Sequence, residues 1–265
     1  MEPTATAGPD PSAAPLPDVS ALLDGVPRQR GGADLTTTLA PTPLARALRL
    51  LPTPAGTPFT FGYAAVLALT SLLGTYASSS LVQSLHQASS TDVAHLLESP
   101  ALVLLASALW VAGGLVSPYV VCFLLVLTAL ERRIGGARTA VVFLAGHVLA
   151  TLATEGTVGV AVLVGHLPDS SLHRLDYGIS FGVAAGVGAL AGLLGPWLRW
   201  PLLLLFGGML VQGLLEFTDP MTGWGHLISL ATGVATWPLI RRWYREAQAV
   251  PRLPKTRQGT SEPGP

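Results

Sequence analysis

Two side chains in this sequence have the types and the setting to do covalent chemistry together, Ser180 and His226. Ser180 stands in Gly178-Ile179-Ser180-Phe181-Gly182, a G-x-S-x-G run at the start of an apolar segment. His226, in Trp224-Gly225-His226, opens another apolar segment. A serine hydroxyl becomes a nucleophile when a base within about 3 Å takes its proton, and imidazole is well suited to that task. The motif alone is weak, because small residues recur in Gly- and Ala-rich membrane helices for packing. A serine there can also bond the carbonyl four residues back. A packing serine and a nucleophile are therefore equal readings of the motif.

What must position these residues follows from composition. The 265 residues are half hydrophobic and 11% charged, too few charges to clothe a soluble surface. Net charge is zero, so no basic excess points to nucleic acid, and the partners expected are the bilayer and proteins within it. The single cysteine, Cys122, excludes both a disulfide framework and a thiolate metal site. Residues 50–91, 99–130, 139–154, 177–198, 200–215 and 220–240 contain no Asp, Glu, Lys or Arg. Because a charge at the bilayer centre costs a few kcal/mol or more, these gaps delimit spans. They predict six helices near 60–82, 114–131, 139–160, 177–195, 201–217 and 223–240. Residues 92–113, apolar but carrying Asp92, His95 and Glu98, are expected as a partly embedded outer loop, with a seventh short helix as the alternative.

Orientation follows from the arginines. Arg46 and Arg49, then Arg132, Arg133 and Arg138, then Arg199, then Arg241, Arg242 and Arg245 occupy every second connection. The positive-inside rule puts both termini of a multi-pass plasma-membrane protein in the cytoplasm. Residues 1–57, rich in Pro, Ala, Thr and Gly, are expected as a disordered cytoplasmic arm without a cleaved signal, so that the first span directs insertion. Residues 58–240 form the membrane domain, and 241–265 a disordered basic tail on the cytoplasmic leaflet.

Within this frame, spans four and six run in the same direction, and each candidate residue lies about three residues past its predicted helix start. At about 1.5 Å per residue this puts both at one level, roughly 5–10 Å below the outer surface. Ser180, Ala184, Gly188 and Gly192 form one small-residue row, opposite Gly178, Gly182 and Gly186. His226, Ser229 and Gly233 form a small face on span six, so Ala184, Gly188, Ser229 and Gly233 are expected to pack the two helices together.

His147 and Glu155 in span three are the other intramembrane polar residues of note. Helical rise puts Glu155 near the level of Ser180 and His147 about 12 Å deeper. A carboxylate there calls for a partner such as Ser180, Arg174 or His226, and a structural bond between helices outweighs catalysis for both. His147, His226, Asp176 and Glu155 are ligand types that zinc takes, but no H-x-x-x-H or H-E-x-x-H spacing occurs. His86, His95, His166 and His173 read as solvated loop residues. Charged rows of a channel and inverted repeats of a transporter are both missing from the sequence.

Four landmarks in order give a resemblance. Glu131-Arg132-Arg133-Ile134-Gly135 resembles an E-R-x-x-G junction, Gly178-Ile179-Ser180-Phe181-Gly182 a G-x-S-G nucleophile motif, and Gly225-His226 with Ser229 and Gly233 an A-H-x-x-G-x-x-x-G motif. The fourth is the long outer loop after span one. Over residues 60–240 the chain thus resembles the rhomboid superfamily of intramembrane serine proteases, in its divergent actinobacterial-type branch. The resemblance implies an all-α six-helix bundle in which Ser180 is the nucleophile and His226 the base, cleaving transmembrane protein substrates near the outer face without metal or organic cofactor. Gly178, Glu155 and His147 are the candidates for oxyanion or supporting roles. The family's H-x-x-x-N in span two falls near Leu115 and Tyr119, neither of which can bind an oxyanion in the same way, and Phe181 replaces a small residue. An inactive rhomboid-like pseudoprotease binding transmembrane clients is the alternative reading, and a metal-dependent membrane hydrolase a third.

Overall fold

A computed structural model describes residues 50–249, which form ten α-helices and, among the described residues, no strand. The expected arm up to residue 49 and the tail from residue 250 lie outside the described residues. Helix α1 spans Pro58–Tyr76, and the long loop that follows contains α2 (Ser79–Ala88), α3 (Val93–Glu98) and α4 (Pro100–Ser107). Next come α5 (Pro118–Ile134), α6 (Gly136–Leu163), α7 (Ser180–Ala191), α8 (Pro196–Leu215), α9 (Pro220–Ala235) and α10 (Trp237–Ala249). Three of these, α1, α6 and α8, are long and apolar enough to cross a membrane.

The helices begin and end where local chemistry dictates. Pro at the first helical position opens α1, α4, α5, α8 and α9, where its missing N–H costs nothing. Gly135 takes φ +88, a conformation that excludes other side chains, and so separates α5 from α6. Glu131, just before it, reaches the start of α1: its carboxyl accepts from the N–H of Phe59 (2.9 Å), the N–H of Thr60 (2.8 Å) and the Thr60 hydroxyl (2.6 Å). The two N–H groups are donors that a helix N-terminus leaves without an internal acceptor. The E-R-x-x-G junction therefore ties α1 to the α5–α6 corner.

Helix α7 is the axis of the bundle. It is only 12 residues long, all of Phe181–Ala191 is buried, and α5, α6, α8 and α9 pack around it. Its small residues permit this. A Cβ on Gly182 would overlap the Phe143 ring of α6, and one on Gly188 would come 2.5 Å from the Leu230 carbonyl of α9. On α9, a Cβ on Gly233 would overlap the Ala185 carbonyl of α7. Helix α8, by contrast, exposes Leu204, Leu205 and Leu215.

Several boundaries differ from the sequence reading. The segment 177–195 is helical only from Ser180, because the residues just ahead of it are held by the loop that follows α1. The N–H of Gly178 donates to the Ser107 carbonyl (3.0 Å) and that of Ile179 to the Trp110 carbonyl (3.2 Å). The span over 60–82 breaks at Ala77, where Ser78 caps a separate helix. Residues 92–113 hold two helices of six and eight residues, too short to cross a bilayer. They are anchored inward by Tyr63, which donates to the Ala108 carbonyl (2.5 Å), and by Thr70, which donates to that of Leu109 (2.7 Å). Finally, α10 continues helical past residue 240 to Ala249, held by Arg138 through the Trp243 carbonyl (3.0 Å) and Glu246 (2.8 Å).

Candidate active site

Ser180 is the first residue of α7, and the backbone ahead of it is shaped by Gly178, whose φ of +131 few other residues could adopt. His226 is the seventh residue of α9, whose N-terminus is capped by Asp219: the carboxyl accepts from the Thr222 N–H (3.2 Å) and hydroxyl (2.6 Å). Ser180 is thus at its helix start rather than three residues in, and His226 lies deeper along its own helix. Even so, both line one cleft of about 430 Å3. Ser117, Tyr119, Asp176, Tyr177, Asp219 and Thr222 share its lining.

The imidazole of His226 is fixed by rings. Tyr119 of α5 stacks on it nearly parallel, with centroids 5.3 Å apart, and Phe181 meets it edge-on at 5.2 Å. Its Nε2 is buried and has no hydrogen-bond partner, so nothing competes for that nitrogen. Phe181 itself is 4% exposed and packs against Gly225, His147 and His226 rather than lining the cleft. A second cleft of about 390 Å3 opens between α5, α8 and α9, and shares Tyr119, Asp219, Thr222 and His226 with the first.

Three N–H groups at the start of α7, those of Ser180, Phe181 and Gly182, precede the first intrahelical bond, which runs from the Val183 N–H to the Ile179 carbonyl (3.0 Å). A helix N-terminus with such groups attracts negative charge. The Gly178 N–H, in contrast, is already engaged by Ser107.

The other two supporting candidates stand away from the pair. The Nε2 of His147 lies 3.0 Å from the Ser107 hydroxyl and 3.1 Å from the Leu104 carbonyl, joining α6 to α4. Glu155 is 1% exposed and pairs with Arg174. Arg174 also reaches Asp219 (3.1 Å) and approaches Asp176 (3.8 Å). Burial works against the charge on Arg174, but the surrounding carboxylates outweigh it and raise the pKa of the guanidinium. Burial is also the main cause that raises the Asp176 carboxyl above its ordinary range. Among the described residues no group of three or more His, Cys, Asp and Glu converges as a metal site. His86 is no isolated loop residue: it stacks on Tyr177, which lines the cleft, at 4.3 Å and meets Trp110 edge-on at 4.6 Å.

Sequence reasoning missed Tyr119 as the support of the imidazole, and Asp219 with Thr222 as lining. The latter pair carried a signal, since Asp219-Pro220-x-Thr222 has the form of a helix start, with Asp at the N-cap and Pro next. Leu115, where the sequence comparison sought a donor, is exposed in a 3-10 turn at Gly114–Val116. A family model described as "Rhomboid-like protein" matches residues 55–246. Neither a curated protein nor a solved structure matches the chain.

Proposed function

The chain belongs to the rhomboid-like protein family, and on that premise we propose that it is an intramembrane serine protease with Ser180 as nucleophile and His226 as general base. The observation that carries this reading is the shared cleft, whose lining includes both a serine at a helix start and a histidine with an unengaged Nε2. No hydrogen bond engages the His226 Nε2 in this structure, and catalytic hydrogen bonds commonly tighten only once substrate is bound.

In this mechanism the Ser180 hydroxyl attacks the scissile carbonyl while His226 takes its proton. The negative charge on the tetrahedral oxygen meets the free N–H groups at the start of α7, which are fixed in place before the reaction. Collapse breaks the C–N bond, and His226 returns the proton to the departing amine. Water then repeats the sequence on the acyl-enzyme, with His226 again as base. No metal or organic cofactor takes part. The substrates are transmembrane proteins, entering from the bilayer where the second cleft opens between α5, α8 and α9. The domain crosses the plasma membrane six times with both termini cytoplasmic.

A second reading is favoured by one observation. A flat Tyr119 ring stands against His226 where a side-chain oxyanion donor is expected, and losing such a donor costs on the order of 100-fold or more in rate. On that reading the chain binds transmembrane clients without cutting them. Fluorophosphonate labelling of the protein in liposomes separates the two. Labelling lost in Ser180→Ala and His226→Ala and indifferent to chelators supports the protease, whereas no labelling of the wild type sinks it. Peptide-cleaving activity lost with chelator and restored by zinc would instead support a metal hydrolase.

A further inference from the structure

Arg174 is where three separately anchored elements meet at the lip of the cleft. One guanidinium nitrogen pairs with Glu155 of α6, and the same nitrogen lies 3.8 Å from Asp176, four residues before Ser180. The other terminal nitrogen lies 3.2 and 3.1 Å from the two carboxyl oxygens of Asp219 and 3.5 Å from the Thr222 hydroxyl, at the N-terminus of the helix that carries His226. Arg174 also belongs to the extended segment leading to Ser180, and its carbonyl accepts from the Ser90 hydroxyl (3.4 Å). Asp176, Asp219 and Thr222 line the cleft with Ser180 and His226.

Within the bundle α7 and α9 meet through glycine-lined contacts at Gly188 and Gly233 and, beside His226, at Gly225 against Phe181. Ahead of Ser180, the segment leading into α7 is tied to the cap of the His226 helix by polar contacts, and these pass through Arg174. Ion pairs that are partly buried add little net stability compared with apolar packing, but a planar guanidinium with several fixed donors specifies geometry. Its three carboxyl partners come from α6, from the segment before α7 and from the cap of α9. We propose that Arg174 is a positioning residue, which sets the approach of Ser180 to His226 by clamping Asp176 and Asp219 to Glu155. The assignment rests on the Ser180–His226 reading of the site.

The test uses the full-length protein in liposomes and two readouts. The first is the rate of fluorophosphonate labelling as a function of probe concentration. The second is the rate at which cysteines placed by Ser180→Cys and His226→Cys, in a Cys122→Ala background, are joined by oxidation or short bifunctional reagents, which reports alignment without catalysis. Arg174→Gln alone leaves Glu155 buried without its counter-charge, which disfavours folding. The charge-balanced Arg174→Gln/Glu155→Gln variant avoids this, and Asp219→Asn keeps a good N-cap while weakening the tie to Arg174.

Both variants should lower the maximal labelling rate by on the order of tenfold with little change in the half-saturating probe concentration, since small misplacements of reacting groups are costly. Arg174→Lys should restore part of the rate, and crosslinking should slow in the same order. Folded variants that label and crosslink at wild-type rates overturn the proposal. If the wild type does not label, the protease reading falls and crosslinking alone decides the clamp, supporting it when slowed and overturning it when unchanged. If the two cysteines cannot be joined even with Arg174 present, the residues are not partners and the clamp has nothing to position.

Discussion

The Ser229 hydroxyl donates to the Phe181 carbonyl, joining α9 to α7 one helical turn past His226 and one residue past Ser180. The bond sits in a contact built for close approach. A Cβ added at Gly146 of α6 would come 2.9 Å from the same Ser229 hydroxyl. One turn further on, Gly233 lies against the Ala185 carbonyl, which is backbone and cannot rotate away. Gly233→Ala should therefore destabilise the protein by about 1–3 kcal/mol, as overpacking a tight core does. Gly208→Ala, in α8, should cost nothing, because no atom lies within 4 Å of its Cβ and alanine favours the helix. Thermal unfolding in detergent compares the two, and equal melting temperatures would refute the close-contact account.

Tyr119 offers a sharper test of the imidazole's support. Its ring lies only 11° from the plane of His226 at 5.3 Å between centroids. Aromatic pairs of this kind contribute about 0.5–1.5 kcal/mol beyond area burial. Tyr119→Ala should slow fluorophosphonate labelling roughly 3- to 10-fold by that energy, and Tyr119→Phe should stay near wild type. A Phe variant as slow as the Ala variant would show that the hydroxyl matters, and would move Tyr119 from supporting the base to donating a hydrogen bond in the cleft.

The parts of this structure that were legible in the sequence are those governed by local rules. Charge-free gaps located the principal bundle helices, because desolvating a charge is costly wherever it falls along a span. Small residues at intervals of four marked Gly188 and Gly233, now seen against neighbouring backbone. The helix start at Ser180 was misjudged because the pull on residues 178 and 179 comes from carbonyls of Ser107 and Trp110, about 70 positions earlier. Glu131 capping α1 across 71 residues was hidden for the same reason. Arg174 appeared in sequence as one cation in an acidic outer loop and one of several partners for Glu155. Only the packing of α6 beside the cap of α9 shows that Glu155, Asp176 and Asp219 share it.

Acid should act on the cap of α9 in a defined direction. Burial opposes the charge of Asp219, but hydrogen bonds from Thr222 and the Arg174 guanidinium outweigh it and hold the carboxyl below its usual range. A carboxyl lowered in the folded state stabilises the fold above its unfolded pKa, about 3.9, and that contribution disappears as pH falls through the folded value. Asp176, raised chiefly by burial, titrates in the opposite sense, so the whole stability curve is not diagnostic. The difference between wild type and Asp219→Asn is. It should be widest near pH 7 and close progressively below about pH 4. A gap in melting temperature that is constant across this range would mean that Asp219 acts only through its cap geometry.

Topology supplies the last test. On α6, Arg138 and Glu155 are 17 residues apart, about 25 Å along a helix, and the two mark opposite ends of the bundle. Around Arg138 stand Trp243 and Glu246 of α10, while Arg199 and Arg241 flank Trp237 at 5.0 and 5.3 Å and donate to the carbonyls that end α7. Around Glu155 stand Arg174, Asp176 and Asp219. The arginine-rich end should face the cytoplasm, since basic residues flanking spans are retained there. Reporter fusions after Arg138, Arg199 and Arg245 should therefore read cytoplasmic, and those near Ser171 and Thr222 external. A fusion after Ser99 should also read external, because α3 and α4 contain six and eight residues and neither can reach across the hydrocarbon. An external signal at Arg199 would break the six-crossing arrangement. A cytoplasmic signal at Ser99 would place a crossing ahead of α3 that returns through α4, and would put the loop that holds Gly178 and Ile179 inside the membrane instead of at its outer face.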